Sequence, residues 1–233
     1  MGLFETNFFI KAVGSGDQAV VAYCPLPTHY SLSTTMKLIF ATNNQHKVEE
    51  IQFAIGDILE VVSLKQAGID IDIPEPHDTL EENASEKSRT IHQLTGESCF
   101  SEDTGLEVES LNGEPGVKSA RYAGEDKAFD KNIDKLLAGL GDTTNRKARF
   151  RTVISLIWQG REWHFEGICE GSIGFERHGN GGFGYDPVFI PAGETRTFAE
   201  MTLAEKNQIS HRKKAAEKLV LFLQNQVEAT AKI

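Results

Sequence analysis

Between Ala148 and Cys169 the side chains that can face a core recur at every second position. Phe150, Thr152, Ile154, Leu156 and Trp158 form one run, Trp163, Phe165, Gly167 and Cys169 a second, and Gln159-Gly160 separates them. A period of two sustained this long belongs to β-strands with one face buried, and so short a turn joins them antiparallel. No all-helical fold accommodates this segment. Elsewhere the period changes. Val48, Ile51 and Ile55, then Phe129, Ile133, Leu136, Leu137 and Leu140, then Ala216, Leu219, Val220 and Leu223 recur at spacings of three and four, the apolar stripe of a helix. A local hairpin in one region and helix-separated strands in another predict an α/β fold, a mixed β-sheet with flanking helices.

The strand-forming run Lys37-Leu38-Ile39-Phe40-Ala41 begins abruptly after Met36 and ends at Thr42-Asn43-Asn44, with Asn43 or Asn44 as cap of the helix that follows. Leu59 to Val62 reads as a second strand, and Gly68 to His77, with Pro74 and Pro76, as an irregular connection. Thr79-Leu80-Glu81-Glu82 is a capping box, opening a helix whose face carries Leu80, Ala84, Ile91 and Leu94 until Gly96 stops it. Cys99 to Ser101 is a short strand that delivers Glu102, Asp103, Thr104 and Gly105 at its end, and Asn112-Gly113 is a turn. Residues 1–35 hold few charges, no sustained period and no secretory pattern. They read as an N-terminal extension outside the fold, with residues 36–226 as one domain.

Composition removes several classes of function. With 24 basic and 34 acidic side chains the net charge is −10, the wrong sign for a polynucleotide binder, whose phosphate contacts need an excess of Lys and Arg. No apolar run approaches the roughly 18 residues of a membrane span. Cys24, Cys99 and Cys169 form no C-x-x-C pair and are odd in number, as expected of a reduced, cytoplasmic chain.

Four groups of residues could carry chemistry. Gly179-Asn180-Gly181-Gly182-Phe183-Gly184 satisfies G-x-G-x-x-G, but Pro187, Val188 and Ile190 follow where a dinucleotide fold needs a helix. The glycines instead suggest backbone close to a ligand, with Phe183 and Tyr185 as flat faces for a base. Thr42-Asn43-Asn44-Gln45-His46-Lys47 lies between strand and helix, where turn N–H groups and Lys47 suit an anion. Glu75 with Glu102 and Asp103 supplies carboxylates from two segments, an arrangement that suits Mg²⁺, and Lys87 follows on the capped helix. Lys206, Ser210, His211 and Arg212 cluster ahead of the last helix stripe as donors for a purine edge.

In this order the motifs resemble the inosine triphosphate pyrophosphatase family. The resemblance covers nearly all of Met36 to Gln224. It rests on Thr42-Asn43-Asn44-Gln45-His46-Lys47 with Glu50, Glu82-Asn83-Ala84 with Lys87, and Glu102-Asp103-Thr104-Gly105-Leu106. Further on it rests on Pro115-Gly116-Val117 with Ser119-Ala120-Arg121-Tyr122, Phe183-Gly184-Tyr185-Asp186-Pro187, and Glu205-Lys206 with Ser210-His211-Arg212. The resemblance implies an elongated mixed sheet with two lobes around an active-site cleft, usually a homodimer. It implies cleavage of ITP, dITP and XTP between the α- and β-phosphates to a nucleoside monophosphate and pyrophosphate, with Mg²⁺. Glu75 and Asp103 would hold the metal, and Asp103 would accept the proton of the attacking water. Lys47, Lys87 and the Thr42 turn, with Thr104, would hold the phosphates. Phe183, Gly184 and Tyr185 would flank the base, and Asp186, Lys206, His211 and Arg212 would line its pocket. The family's commonest pattern has Asp at the first acidic position, where this chain has Glu102. A donor such as Arg212 would favour a 6-oxo purine over adenine. Two rival readings stay open: a Maf-type nucleotide pyrophosphatase, and a silent purine-nucleotide sensor that binds ITP without turnover.

Overall fold

The computed structural model describes residues 36–230; the extension read in residues 1–35 lies outside them. Strand β1 (Met36–Phe40) ends in a turn in which the Asn44 N–H donates to Thr42 Oγ1 and Asn44 Oδ1 accepts from the Lys47 N–H. Asn44 is thus the cap of helix α1 (Gln45–Ile55), while Asn43 donates its amide to the Ile71 carbonyl. Strand β2 (Leu59–Ser63) lies parallel to β1. Thr79 caps helix α2 (Leu80–Thr95), accepting from the Glu82 N–H and donating to the Glu82 carboxylate, and Gly96 closes the helix in the left-handed conformation.

Strand β3 (Cys99–Val108) is longer than the sequence suggested, so Glu102 and Asp103 lie in mid-strand and not at its end. The polar run Glu102-Asp103-Thr104 hides the strand from a hydrophobicity pattern. Pairing with β5 (Lys147–Trp158), where Glu102 faces Ile154 and Asp103 faces Val153, keeps it extended. The short β4 (Pro115–Gly116), helix α3 (Phe129–Leu140), β6 (Arg161–Ile173), β7 (Phe189–Pro191), α4 (Leu203–Ile209) and α5 (His211–Thr230) complete the chain. The expected hairpin is β5–β6, with Phe150 opposite Cys169, Ile154 opposite Phe165 and Leu156 opposite Trp163. Gln159 and Gly160 both have positive φ, as a tight two-residue turn requires.

The sheet order is β2-β1-β3-β5-β6-β7, with β4 beside the far end of β3. It is parallel from β2 to β3 and antiparallel from β3 onward. Strand β1 pairs with β3 only as far as Phe100, and β4 pairs with it only at Leu106 and Glu107. Between them, residues 101–105 of β3 have no strand on that side among the described residues. Ligands of open α/β sheets bind where the carboxyl ends of parallel strands meet such a change of topology.

The long strands pass through more than one core. At one end of the sheet they pack Phe100, Ile154 and Leu156 against α1 and α5 on one face (Val48, Ile51, Ala216, Leu219, Leu223), and Cys99, Val153 and Ile157 against α2 on the other. At the other end they pack Leu106, Val108, Phe150 and Cys169 with α3, Phe189 and Phe198. The two lobes are these two ends of one sheet, and the acidic stretch of β3 lies between them. Leu94, expected on the buried face of α2, is 60% exposed in the last turn, and Phe129, expected on the apolar side of α3, is 41% exposed. Among the described residues no helix is long and apolar enough to cross a membrane.

Helix α5 sits unusually close to β6 at Gly167: a Cβ there would overlap the His211 carbonyl and the Ala215 amide. Both are backbone groups and cannot turn aside. Gly167→Ala is therefore expected to cost about 3 kcal/mol, the upper part of the range for overpacking. Denaturant unfolding measures it, and a loss below about 0.5 kcal/mol would show that α5 is free to shift.

Candidate active site

Successive side chains of a strand point to opposite faces of its sheet, so the Glu102-Asp103 doublet is divided. Asp103 points to the α2 face. There Lys87 Nζ lies 3.2 Å from Asp103 Oδ1 and 2.6 Å from Glu75 Oε1, and Arg121 Nη2 lies 3.2 Å from Glu75 Oε2. Glu75 comes from the proline-containing connection and Lys87 from the second turn of α2. Asp103 Oδ2 is buried and has no hydrogen-bond partner. Burial pushes the Asp103 carboxyl above its ordinary range, more than Lys87 and Lys47 pull it down. For Glu75 burial acts the same way, but Lys87, Lys47 and Arg121 together outweigh it and the carboxyl is held low.

Glu102 and Thr104 point to the α5 face, into a second and deeper cluster. Arg212, 1% exposed, donates from Nε and Nη2 to the two Glu102 oxygens, both at 2.8 Å, from Nη1 to Glu50, and weakly from Nη2 to Thr104. Four of its five N–H groups are thereby engaged. Lys47 Nζ stands 3.1 Å from Glu102 Oε1, and Lys206 Nζ bridges Glu50 Oε1 and Asp186 Oδ2, both at 2.6 Å. Burial alone would raise Glu50, yet Arg212 and Lys206 beside it hold its carboxyl below the usual range. Asp186 moves the other way, because burial and the neighbouring Glu50 outweigh its share of Lys206. His211 is buried, stacked on Phe150 with ring centroids 4.6 Å apart, and its Nδ1 has no partner. Burial, then the Arg212 and Lys206 charges, keep this imidazole neutral far below its ordinary range.

The local sequence fixes these positions. Thr202-x-x-Glu205 forms a reciprocal capping box that starts α4 and sets Lys206 on its inner side. Ser210 Oγ accepts the Lys213 N–H at the opening of α5, which brings His211 and Arg212 inward. In the glycine loop, Asp186 Oδ2 accepts the Phe183 N–H at 2.9 Å, and a Cβ on Gly182, whose φ is +69°, would overlap that carboxylate. Thus Gly182 serves the loop's closure on Asp186.

The structure brings Lys47, Lys87, Thr104 and Arg212 into direct contact with the divided doublet, joins Lys206, Asp186 and Phe183 to it through Arg212 and Glu50, and sets His46 on Phe183, while Asn43 bonds the Ile71 carbonyl and Gln45 the Glu49 carboxylate. Tyr185 is 4% exposed, packed in the second core with its hydroxyl donating to the Ser119 carbonyl. It offers no open face for stacking, since that hydroxyl ties the ring down. Phe183 is more accessible: it is half-buried, with His46 stacked on it at 5.2 Å, Lys206 and Arg212 within 5.6 Å of its ring and Phe129 at 6.3 Å. Glu50 and Arg121 are residues that the sequence reading did not place in the site. Glu50 falls on the buried face of α1 beside Ile51, where a lone acid signals a buried cation.

A charged band is thus built across one strand between two cores, at the change from parallel to antiparallel sheet, as suits an α/β protein that binds an anionic ligand. The chain belongs to the Ham1 family, whose model matches residues 38–222. It is similar to a dITP/XTP pyrophosphatase of Flavobacterium psychrophilum, 49% identical over 190 residues, covering 82% of this chain and 100% of that protein. A dITP/XTP pyrophosphatase of Porphyromonas gingivalis is 53% identical over 188 residues, covering 80% and 97%. Among solved structures, the Staphylococcus aureus Ham1 protein superposes with a TM-score of 0.74 at 39% identity, covering 82% of this chain and 99% of that one. A HAM1 protein from Coxiella burnetii gives 0.75 at 35%, covering 82% and 100%.

The Glu50 network has a pH signature. A carboxyl held below its unfolded value near 4.5 stabilises the fold fully above that pH, and the stabilisation fades as pH falls toward the lowered folded value. Glu50→Gln is expected to cost about 3 kcal/mol near neutrality, since it strands buried cations. The gap between wild type and variant should then shrink below about pH 4.5. Denaturant titrations at a series of pH values check this; a gap independent of pH would show that Glu50 is not ionised in the fold.

Proposed function

We propose that this chain hydrolyses nonstandard purine nucleoside triphosphates, ITP, dITP and XTP, to the monophosphate and pyrophosphate, acting in the cytoplasm as a homodimer with Mg²⁺. The observation that carries the reading is the divided doublet: a buried carboxylate with one unpartnered oxygen on one side of β3, and a clamped arginine next to an aromatic face on the other. A triphosphate and a base attached to it need those two environments at once. The relatives' printed names agree with this substrate class.

Glu75 and Asp103 would hold Mg²⁺. They fit it because Asp103 Oδ2 lacks a partner, Glu75 shares Lys87 with Asp103, and this ion takes only one or two protein carboxylates beside waters and substrate phosphates. Bound there, the ion would neutralise phosphate charge and polarise the bond to be cleaved. Asp103 accepts the proton of the attacking water as the general base. Water adds to phosphorus, the bond between the α- and β-phosphates breaks, and pyrophosphate leaves. Lys47, Lys87 and the Thr42 to Lys47 turn hold the phosphates, with Thr104 beside them, so catalysis is positioning and charge stabilisation. The base lies on Phe183 next to Gly184, and Asp186, Lys206, His211 and Arg212 wall its pocket. A silent sensor would need this machinery without turnover, and nothing in its geometry favours that.

Pyrophosphate release from ITP, dITP, XTP and ATP, each with Mg²⁺ or chelator, tests the proposal. Metal-dependent pyrophosphate from the first three and little from ATP is expected. Asp103→Asn should lower kcat at least about a hundredfold while the fold persists, as removal of a general base does; near-normal kcat would refute the assignment of Asp103.

A further inference from the structure

We propose that Glu102 is a positioning residue that ties the phosphate end of the site to its base end, leaving the metal to Asp103 with Glu75 and the water to Asp103. This rests on the reading of Lys47 as a phosphate ligand and Arg212 as a base-pocket residue. From sequence the two acids are interchangeable neighbours. In the fold they are on opposite faces of β3, and their surroundings differ in the property that matters for metal or proton chemistry, the availability of an oxygen.

Four donors converge on Glu102. Arg212 Nε reaches Oε2 at 2.8 Å, while Arg212 Nη2 at 2.8 Å, Lys47 Nζ at 3.1 Å and Thr104 Oγ1 at 3.4 Å reach Oε1. An ionised carboxylate has about four acceptor sites, so Glu102 has little left for a metal ion or a water. Its side chain is fully buried. Asp103 has one oxygen on Lys87 and the other without a partner. The converging donors also come from the two ends of the site. Lys47 stands at the start of α1 and Arg212 at the start of α5, and one carboxylate spans both. The extra methylene of Glu over Asp provides the reach. Fixing the two cations against one anion sets the spacing between where phosphate and base are gripped, and this pre-organisation reduces the ordering cost of binding.

The test is Glu102→Gln, which keeps the shape but sets an amide donor against donors. Steady-state kinetics with ITP and ATP, and the Mg²⁺ concentration for half-maximal rate, are measured beside wild type and Asp103→Asn. A positioning role predicts that KM for ITP rises about tenfold or more, the size of a lost charge-assisted hydrogen bond. The preference for ITP over ATP falls, the Mg²⁺ requirement is unmoved, and kcat stays well above that of Asp103→Asn. A collapse of kcat to the Asp103→Asn level, or a shifted Mg²⁺ requirement, would overturn the proposal, as would wild-type KM and preference. Should Glu102→Gln not fold by circular dichroism, Glu102→Asp replaces it. Retained kcat with raised KM and reduced preference supports positioning, and lost kcat contradicts it. Wild-type protein that releases no pyrophosphate from any of these nucleotides would instead remove the functional reading itself, which separates the two failures.

Discussion

The buried ion network of Glu50, Glu102, Asp186, Lys206 and Arg212 is the constraint on which the rest of the structure depends. It lies where β3 leaves one hydrophobic core and has not yet entered the next, and it draws in α1, β3, the glycine loop, α4 and α5. Removing one partner of such a network costs about 3–5 kcal/mol, yet replacing the whole by well-packed apolar residues is often neutral or stabilising. Stability therefore does not account for so much buried charge. A site that must present cations to an anionic ligand, at fixed positions and without rearrangement, does account for it. The positive members are held by acids chosen from distant segments: Arg212 and Glu102 are joined across 110 positions, Arg212 and Glu50 across 162.

Several features of the fold exist to bring these segments together. The parallel half of the sheet ends β1 early, so the Asn44-capped start of α1 brings Lys47 to the unpaired stretch of β3. The close approach of α5 to β6 at Gly167 sets the depth of Arg212. The Thr202–Glu205 capping box orients Lys206 before α5 begins. Closure of the glycine loop on Asp186 then holds Phe183 above Lys206 and Arg212, with His46 on it. The same strand thus carries a buried carboxylate with an unpartnered oxygen on one face and the arginine-centred ion network on the other.

Much of this was legible in the sequence. The β5–β6 hairpin, its turn, the α2 cap and the α3 and α5 stripes follow from period and turn chemistry, which act over a few residues. The ordered motifs identified the family. What was not legible depends on contacts between distant segments. β3 looked like a three-residue strand because its middle is Glu102-Asp103-Thr104, and only Arg212, Lys47 and Lys87 make that polar run tolerable inside a sheet. Tyr185 reads as a stacking face until the Ser119 carbonyl claims its hydroxyl. Glu50 carried a usable signal, an acid among the buried positions of α1, but its partners lie more than 130 residues away. Thr202-x-x-Glu205 is a local signal as clear as that at Thr79, but the seven-residue helix it opens carries no apolar stripe.

The most direct test of the account is a crystal structure of the protein with Mg²⁺ and an ITP analogue whose α,β-bridging oxygen is a methylene. The division of labour across β3 predicts metal density on Glu75 and Asp103, phosphates against Lys47 and Lys87, and the base on Phe183. Glu102 should still be clamped between Arg212 and Lys47, out of contact with the metal. Metal bound by Glu102, or a base seated away from Phe183, would contradict it.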